Sequence, residues 1–182
     1  MAVDKRTERL DLGLSRRVEV GWHLLAFAEM LLLSISLGSM IFFSFAVAPS
    51  AFAVLPTREL AGALVTSTIA KVEVLGLVIG PLLVLIHAVS WNRRGSSRVI
   101  KILAIALISV MIAAAAISHF SISTTMVSLR AAMGGHIDDV SVTDPIRIQF
   151  NDLHHYSVAL MSTAMIAGLA VLFLTVRSWL NR

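Results

Sequence analysis

Five of the six histidines and a handful of acids and bases stand within or at the border of stretches that are otherwise apolar. These are the residues that could do chemistry, because an ionisable side chain at membrane depth is costly and marks a function or a partner. At a helical rise of ~1.5 Å per residue from the nearest basic border, they fall into two layers. In the first, Glu73 stands ~27 Å and Lys71 ~30 Å from Trp91, His119 ~30 Å from Val99, and His154 and His155 ~33–35 Å from Arg177. Arg130, Asn151 and Asp152 lie beyond that layer. In the second, His23 opens the first apolar segment, His87 lies one turn inside the end of the second, and Glu29 is nearly two turns past His23.

Three chemistries could use these layers. A metal or ion site would draw on Glu73, His119 and His154, supported by Lys71, Arg130 and Ser157. Imidazole and carboxylate suit Zn, Cu(II) or Ni, while the thioethers of Met126, Met133, Met161 or Met165 would suit Cu(I). No HxxxH, HExxH or methionine repeat is present, and methionines in so apolar a chain more often serve packing. A haem b would need facing axial ligands, His23 with His87 at one end and His119 with His154 or His155 at the other. A proton or ion relay would use Glu29, Glu73 and the histidines. The plain structural alternative is a buried ion pair, Lys71 or Arg130 with Glu73, closing one end of a helix bundle. Enzyme motifs are absent: there is no P-loop, GxGxxG or GxSxG. Ser157, one turn after His154, has no acid to orient a triad. The chain reads as non-enzymatic.

The elements that must position these residues follow from composition. Of 182 residues, 57% are hydrophobic and 14% charged. A soluble domain carries about 25% charged residues, so this chain belongs in lipid. With no cysteine, disulfides, thiolate metal sites and Cys nucleophiles are excluded. Four apolar segments, about 22–48, 60–90, 99–121 and 153–176, are each long enough to cross ~30 Å of hydrocarbon as a helix. The third keeps its helical pattern to about 133. None alternates with period two, so the expected fold is an all-α, four-helix antiparallel transmembrane bundle over 22–177. Before it lies a basic segment, 1–21, and after it a short end, 178–182. The first apolar run far exceeds the ~7–15 residues of a signal h-region and reads as an uncleaved anchor.

Lys5, Arg6, Arg9, Arg16 and Arg17, then Arg93, Arg94, Arg98 and Lys101, then Arg177 and Arg182, fall on one side of the bundle. Arg58, Arg130 and Arg147 fall on the other, with Lys71 close to it. The positive-inside bias therefore puts both termini in the cytoplasm and the Glu73 layer at the outer mouth, with a bacterial inner membrane as the expected location. Trp22, Trp91 and Trp179 mark the same boundary. The net charge of +4 reflects this topology and not nucleic-acid binding. Residues 1–21 read equally as an interfacial segment on anionic lipid or as a frayed tail. Pro49 should end the first helix, Gly134-Gly135 the third, and Asp144-Pro145 should start the fourth. Gly76 with Gly80, and Ala164 with Gly168, should let helices approach within one bundle rather than between copies. The expected partners are the bilayer, and membrane proteins or further copies of the chain within it. A structural subunit of a larger membrane complex is the other non-enzymatic reading.

Two stretches carry a family resemblance. Gly38, Phe42, Ala48-Pro49, Phe52, Leu55, Arg58 and Ala61-Gly62 form the first, and Phe150-x-x-Leu153-His154-x-x-Ser157 the second, with Thr124-Thr125 and Arg130 between them. Together they resemble the transmembrane protein 205-like family. The resemblance implies a small four-helix integral membrane protein with no established enzymatic activity. Phe150, His154 and Ser157 share a helical face, which should turn His154 rather than His155 toward the bundle. Met161 and Lys71 depart from the family's pattern, which has Asn and an apolar residue there.

The topology predicts that residues 93 and 130 lie on opposite sides of the membrane. In this cysteine-free background, a membrane-impermeant maleimide applied to intact cells should label Arg130→Cys and should reach Arg93→Cys only after permeabilisation. Labelling of both from the same side would dismantle the depth alignment.

Overall fold

The computed structural model describes residues 2–134 and 137–180, with side chains from residue 16 onward. The basic side chains of Lys5, Arg6 and Arg9, together with Gly135, His136 and Arg182, lie outside that description. Helix α1 spans Ala2–Phe42 and runs through a π-helical turn, Phe43–Val47, into α2, Ala48–Val54. Helix α3 spans Arg58–Val89 and α4 Arg98–Ile117. A second π-helical stretch, Ser118–Ser123, joins α4 to α5, Thr124–Ala132, and α6 spans Pro145–Leu180. Four helical rods result, 16–54, 58–89, 98–132 and 145–180, each long and apolar enough to cross a membrane. The chain is a small multi-pass membrane protein. Each rod packs on the next, α1 on α3, α3 on α4, α4 on α6 and α6 on α1, closing an antiparallel square. Residues near 16–22, 90–98 and 177–180 form its terminal end; the 54–58 and 132–145 connections form its far end.

Local chemistry sets the boundaries. Thr57 caps α3 by accepting from the Leu60 amide (3.2 Å), and Ser97 caps α4 through the Ile100 amide (3.4 Å). Asp144 accepts from the Ile146 amide (2.8 Å), with Pro145 as the first helical residue, so α6 starts at Pro145, well before 153. Gly134 adopts φ +68°, the left-handed turn that follows a helix, and α5 stops at Ala132. The first helix does not end at Pro49. The π turn just before it loosens the hydrogen-bond ladder where proline lacks its N–H, and the helix continues to Val54. It stops where Leu55, held extended (ψ 141°) by the following Pro56, turns out of the helix.

The core is built from heptad-spaced stripes. On α6, Phe150, Ser157, Ala164, Val171 and Ser178 are buried at every seventh position. Leu33, Ile79, Leu83, Ile108 and Val171 form one apolar cluster and Leu37, Met40, Met111, Ala114, Ala164 and Ala167 a second. The outward faces remain apolar, with Phe27, Phe45, Leu85, Ile117, Ile166 and Phe173 exposed, while Glu29, Glu73, His87 and Arg94 are buried. That inversion suits lipid as the solvent. Because lipid tails are as apolar as leucine, helices must associate by close packing. Gly76 brings α3 against Ala115 of α4, where a Cβ would lie 3.6 Å from the Ala115 methyl. A methyl on Gly80 would overlap Ile112, and one on Gly168 would come within 2.7 Å of Leu37 Cδ2. The small residues thus serve contacts within one chain.

Gly80→Ala should therefore destabilise the bundle by about 1–3 kcal/mol, the usual cost of overpacking. Thermal unfolding in detergent should show the loss, and Ile112→Ala should restore part of it. A Gly80→Ala protein as stable as wild type would remove this contact from the account.

Candidate functional site

Two buried carboxylates organise the bundle, one toward each end. Glu29 is fully buried on α1. Its Oε2 accepts from Arg94 Nη2 (2.7 Å) and Trp179 Nε1 (3.0 Å), and its Oε1 from Thr175 Oγ1 (3.2 Å), with His87 Nδ1 also at 3.2 Å. Arg94 leaves the 91–93 turn and folds back under the bundle. Its Nε donates to Ser90 Oγ (3.0 Å), its Nη1 to Ser178 Oγ (3.3 Å), and its guanidinium lies 5.3 Å from the Trp179 ring centroid. Three of the four rods, α1, α3 and α6, and the turn after α3 thus contribute groups to one buried, charge-balanced network.

Glu73 sits on α3, fourteen residues before His87 and thus ~21 Å along the helix axis. Its carboxylate accepts from the Ser118 hydroxyl, from Ser123 Oγ at 3.1 and 3.3 Å, and from His119 Nδ1 at 3.1 Å. All three donors come from the π-helical stretch. Ser118 and Ser123 are five residues apart; in an α-helix they would diverge by about 140°, whereas the i→i+5 repeat of a π turn brings them onto one side. The π turn is therefore what assembles the site. Glu73 is nearly fully buried, while the His119 side chain is 28% exposed and links the carboxylate to the surface. Beneath Glu73 lies a central cavity of about 40 Å³, lined chiefly by apolar side chains of all four rods together with Ser36 and Ser118.

Of the residues expected in the first layer, Glu73 and His119 meet. His154 is exposed, and its ring neighbours His155 at 6.2 Å. Phe150 and Ser157 are buried as their shared face requires, but the heptad position of His154 opens progressively: Thr175 and Gly168 are buried, Met161 half-buried, and His154 exposed. Neither Lys71 nor Arg130 pairs with Glu73, contrary to the expected ion pair. Lys71 is exposed and donates to Ser67 Oγ (3.2 Å). Arg130 donates to Thr66 Oγ1 (3.2 Å), lies 5.6 Å from the Phe150 ring and packs on Gly62, where a Cβ would be 2.9 Å from Nη2. His23 is exposed while His87 turns into the Glu29 network, so they do not face each other as haem ligands. Among the described residues no three His, Asp or Glu side chains gather as a metal site. Arg94 and Trp179 are the residues that topology counting misses: one reads as a loop charge and the other as a border aromatic. The signal that points to them is Glu29 itself, which needs a cation.

Removing Arg94 should leave a buried, unbalanced carboxylate. Arg94→Met should cost about 3–5 kcal/mol, and the Glu29→Met/Arg94→Met double variant should recover most of that loss. Urea or thermal unfolding in detergent checks this, and a double variant no more stable than Arg94→Met would refute the coupling.

Comparison with known proteins places these features in a family. No curated protein and no solved structure matches the chain. A family model does match, over residues 31–134, a span that holds Glu73, His87, Arg94, the π-helical 118–123 stretch and Arg130. By that match, which covers more than half of the chain, this protein belongs to the family described as a domain of unknown function, DUF4149.

Proposed function

We propose that this chain is a non-enzymatic membrane protein, accessory to or part of a transport process, with a cation-responsive site at Glu73 and His119. One observation carries the reading. Among the described residues, Glu73 takes its hydrogen bonds only from two serine hydroxyls and an imidazole, whereas Glu29 has a guanidinium at 2.7 Å. A buried carboxylate without a fixed cation is the group able to take up a mobile one. His119 supplies both the route from the surface and a second ligand, and imidazole with carboxylate suits a divalent transition ion. His154, on the exposed side of α6, is a third ligand that would have to turn inward to join them.

The same reading places both termini in the cytoplasm and the far end outside, with the inner membrane of a bacterium as the location. The basic residues support it, as do the pairings at the terminal border, where Arg93 lies 5.2 Å from the Trp22 ring and Lys101 5.6 Å from that of Trp91. The resemblance to the transmembrane protein 205-like family gains support from the meeting of Gly62, Arg130 and Phe150 at the far end.

Thermal unfolding of purified protein with added Zn²⁺, Ni²⁺ or Cu²⁺ tests the site. Wild type should gain about 3 °C or more, equivalent to roughly 1 kcal/mol. Glu73→Gln and His119→Ala should lose the gain, His154→Ala should reduce it, and Lys71→Ala should keep it. A wild-type protein indifferent to all three ions would overturn the proposal.

A further inference from the structure

The Glu29 network has an outlet that its charge balance does not use. His87 is buried to within 2% of its side-chain surface, and its Nδ1 lies 3.2 Å from Glu29 Oε1 and 3.1 Å from the Leu83 carbonyl oxygen. Both neighbours are acceptors, so Nδ1 carries the proton and donates. Among the described residues, the opposite ring atom, Nε2, is buried without a hydrogen-bond partner, and so is Ser96 Oγ. Both residues line a single cavity of about 10 Å³ at the terminal end. Its other polar residues are already engaged: Arg94 with Glu29 and Ser90, Lys101 with the Trp91 carbonyl (2.6 Å), Thr175 with Glu29, and Ser178 with the Thr175 carbonyl (3.0 Å).

Size and charge narrow the occupant. The volume is that of one water-sized probe. A cation is disfavoured by the Arg94 and Lys101 side chains that line the cavity, and the usual polyatomic anions are too large. With Glu29 and Arg94 balancing each other, a neutral ring at His87 keeps the network neutral. Its bare Nε2 then requires a donor. We propose that this cavity binds one neutral, water-sized hydrogen-bond donor, water or ammonia, which donates to His87 Nε2 and meets the hydroxyl of Ser96. The bound molecule completes a chain from Glu29 through His87 to Ser96 on the connection between α3 and α4. This site is independent of the Glu73 reading.

Solid-state nitrogen NMR of the full-length protein in lipid bilayers tests it. His87 should show a protonated Nδ1 and an unprotonated, hydrogen-bonded Nε2, with magnetisation reaching Nε2 from water protons. A His87→Gln spectrum assigns the signals. Ser96→Ala should weaken the water transfer several-fold while leaving the Nδ1 signal in place, which shows that the fold is retained. Ammonia as occupant would appear as a cross-peak to Nε2 from added ¹⁵N-labelled ammonium, with the water transfer reduced. A protonated Nε2, or an unprotonated Nε2 with no transfer from either source, would overturn the proposal.

Discussion

A carboxylate and a guanidinium taken out of water must find each other, and much of the terminal end is arranged so that Glu29 and Arg94 do. Each alone would cost several kcal/mol to bury. Arg94 therefore leaves its turn and reaches back between the rods, and Ser90, Ser178 and Trp179 supply the remaining hydrogen bonds or ring contact. Those partners come from α3 and α6, while Glu29 itself is on α1. The pair thus fixes the rotation of three rods about their own axes. Above it, Leu33, Leu83, Ile108 and Val171 form a fully buried apolar layer that separates this network from the cavity below Glu73.

The two ends answer the same problem differently. Both place an imidazole Nδ1 at 3.1–3.2 Å from a buried carboxylate, and α3 supplies the acid of one pair and the histidine of the other. Among the described residues, only the Glu29 pair has a fixed cation. At the Glu73 pair, hydroxyls take that place, and they arrive there because α4 changes its winding. Hydrogen bonds to a carboxylate from serine lower the cost of burying it without cancelling its charge, so the Glu73 carboxylate is solvated by hydroxyls where the Glu29 carboxylate is paired with a guanidinium.

Much of the fold is legible in the sequence because lipid imposes simple rules. Runs free of charge had to be helices of spanning length, and small residues at Gly76, Gly80 and Gly168 had to sit at contacts. The equal heights of Glu73 and His119 follow from rise per residue alone. Rotation is harder to read. His154 shares a heptad position with Gly168 and Thr175, yet it is exposed, because burial along that stripe falls off toward the far end, which heptad spacing alone does not report. Pro49 reads as a terminator because nothing in Phe43–Val47 announces a π turn that can absorb it. Arg94 reads as a loop charge because its reach back to Glu29 depends on how the 91–93 turn folds.

A π turn amounts to an α-helix carrying one surplus residue. The surplus in Ser118–Ser123 rotates everything beyond it by about 100° relative to an uninterrupted helix. Arg130, the residue that seats on Gly62, lies beyond it. One surplus residue thus does two jobs at once, gathering three donors around one acid and aiming an arginine at a glycine on α3. Neither feature could then drift without the other, and a relative lacking that extra residue would need a different partner both for its acid and for its glycine.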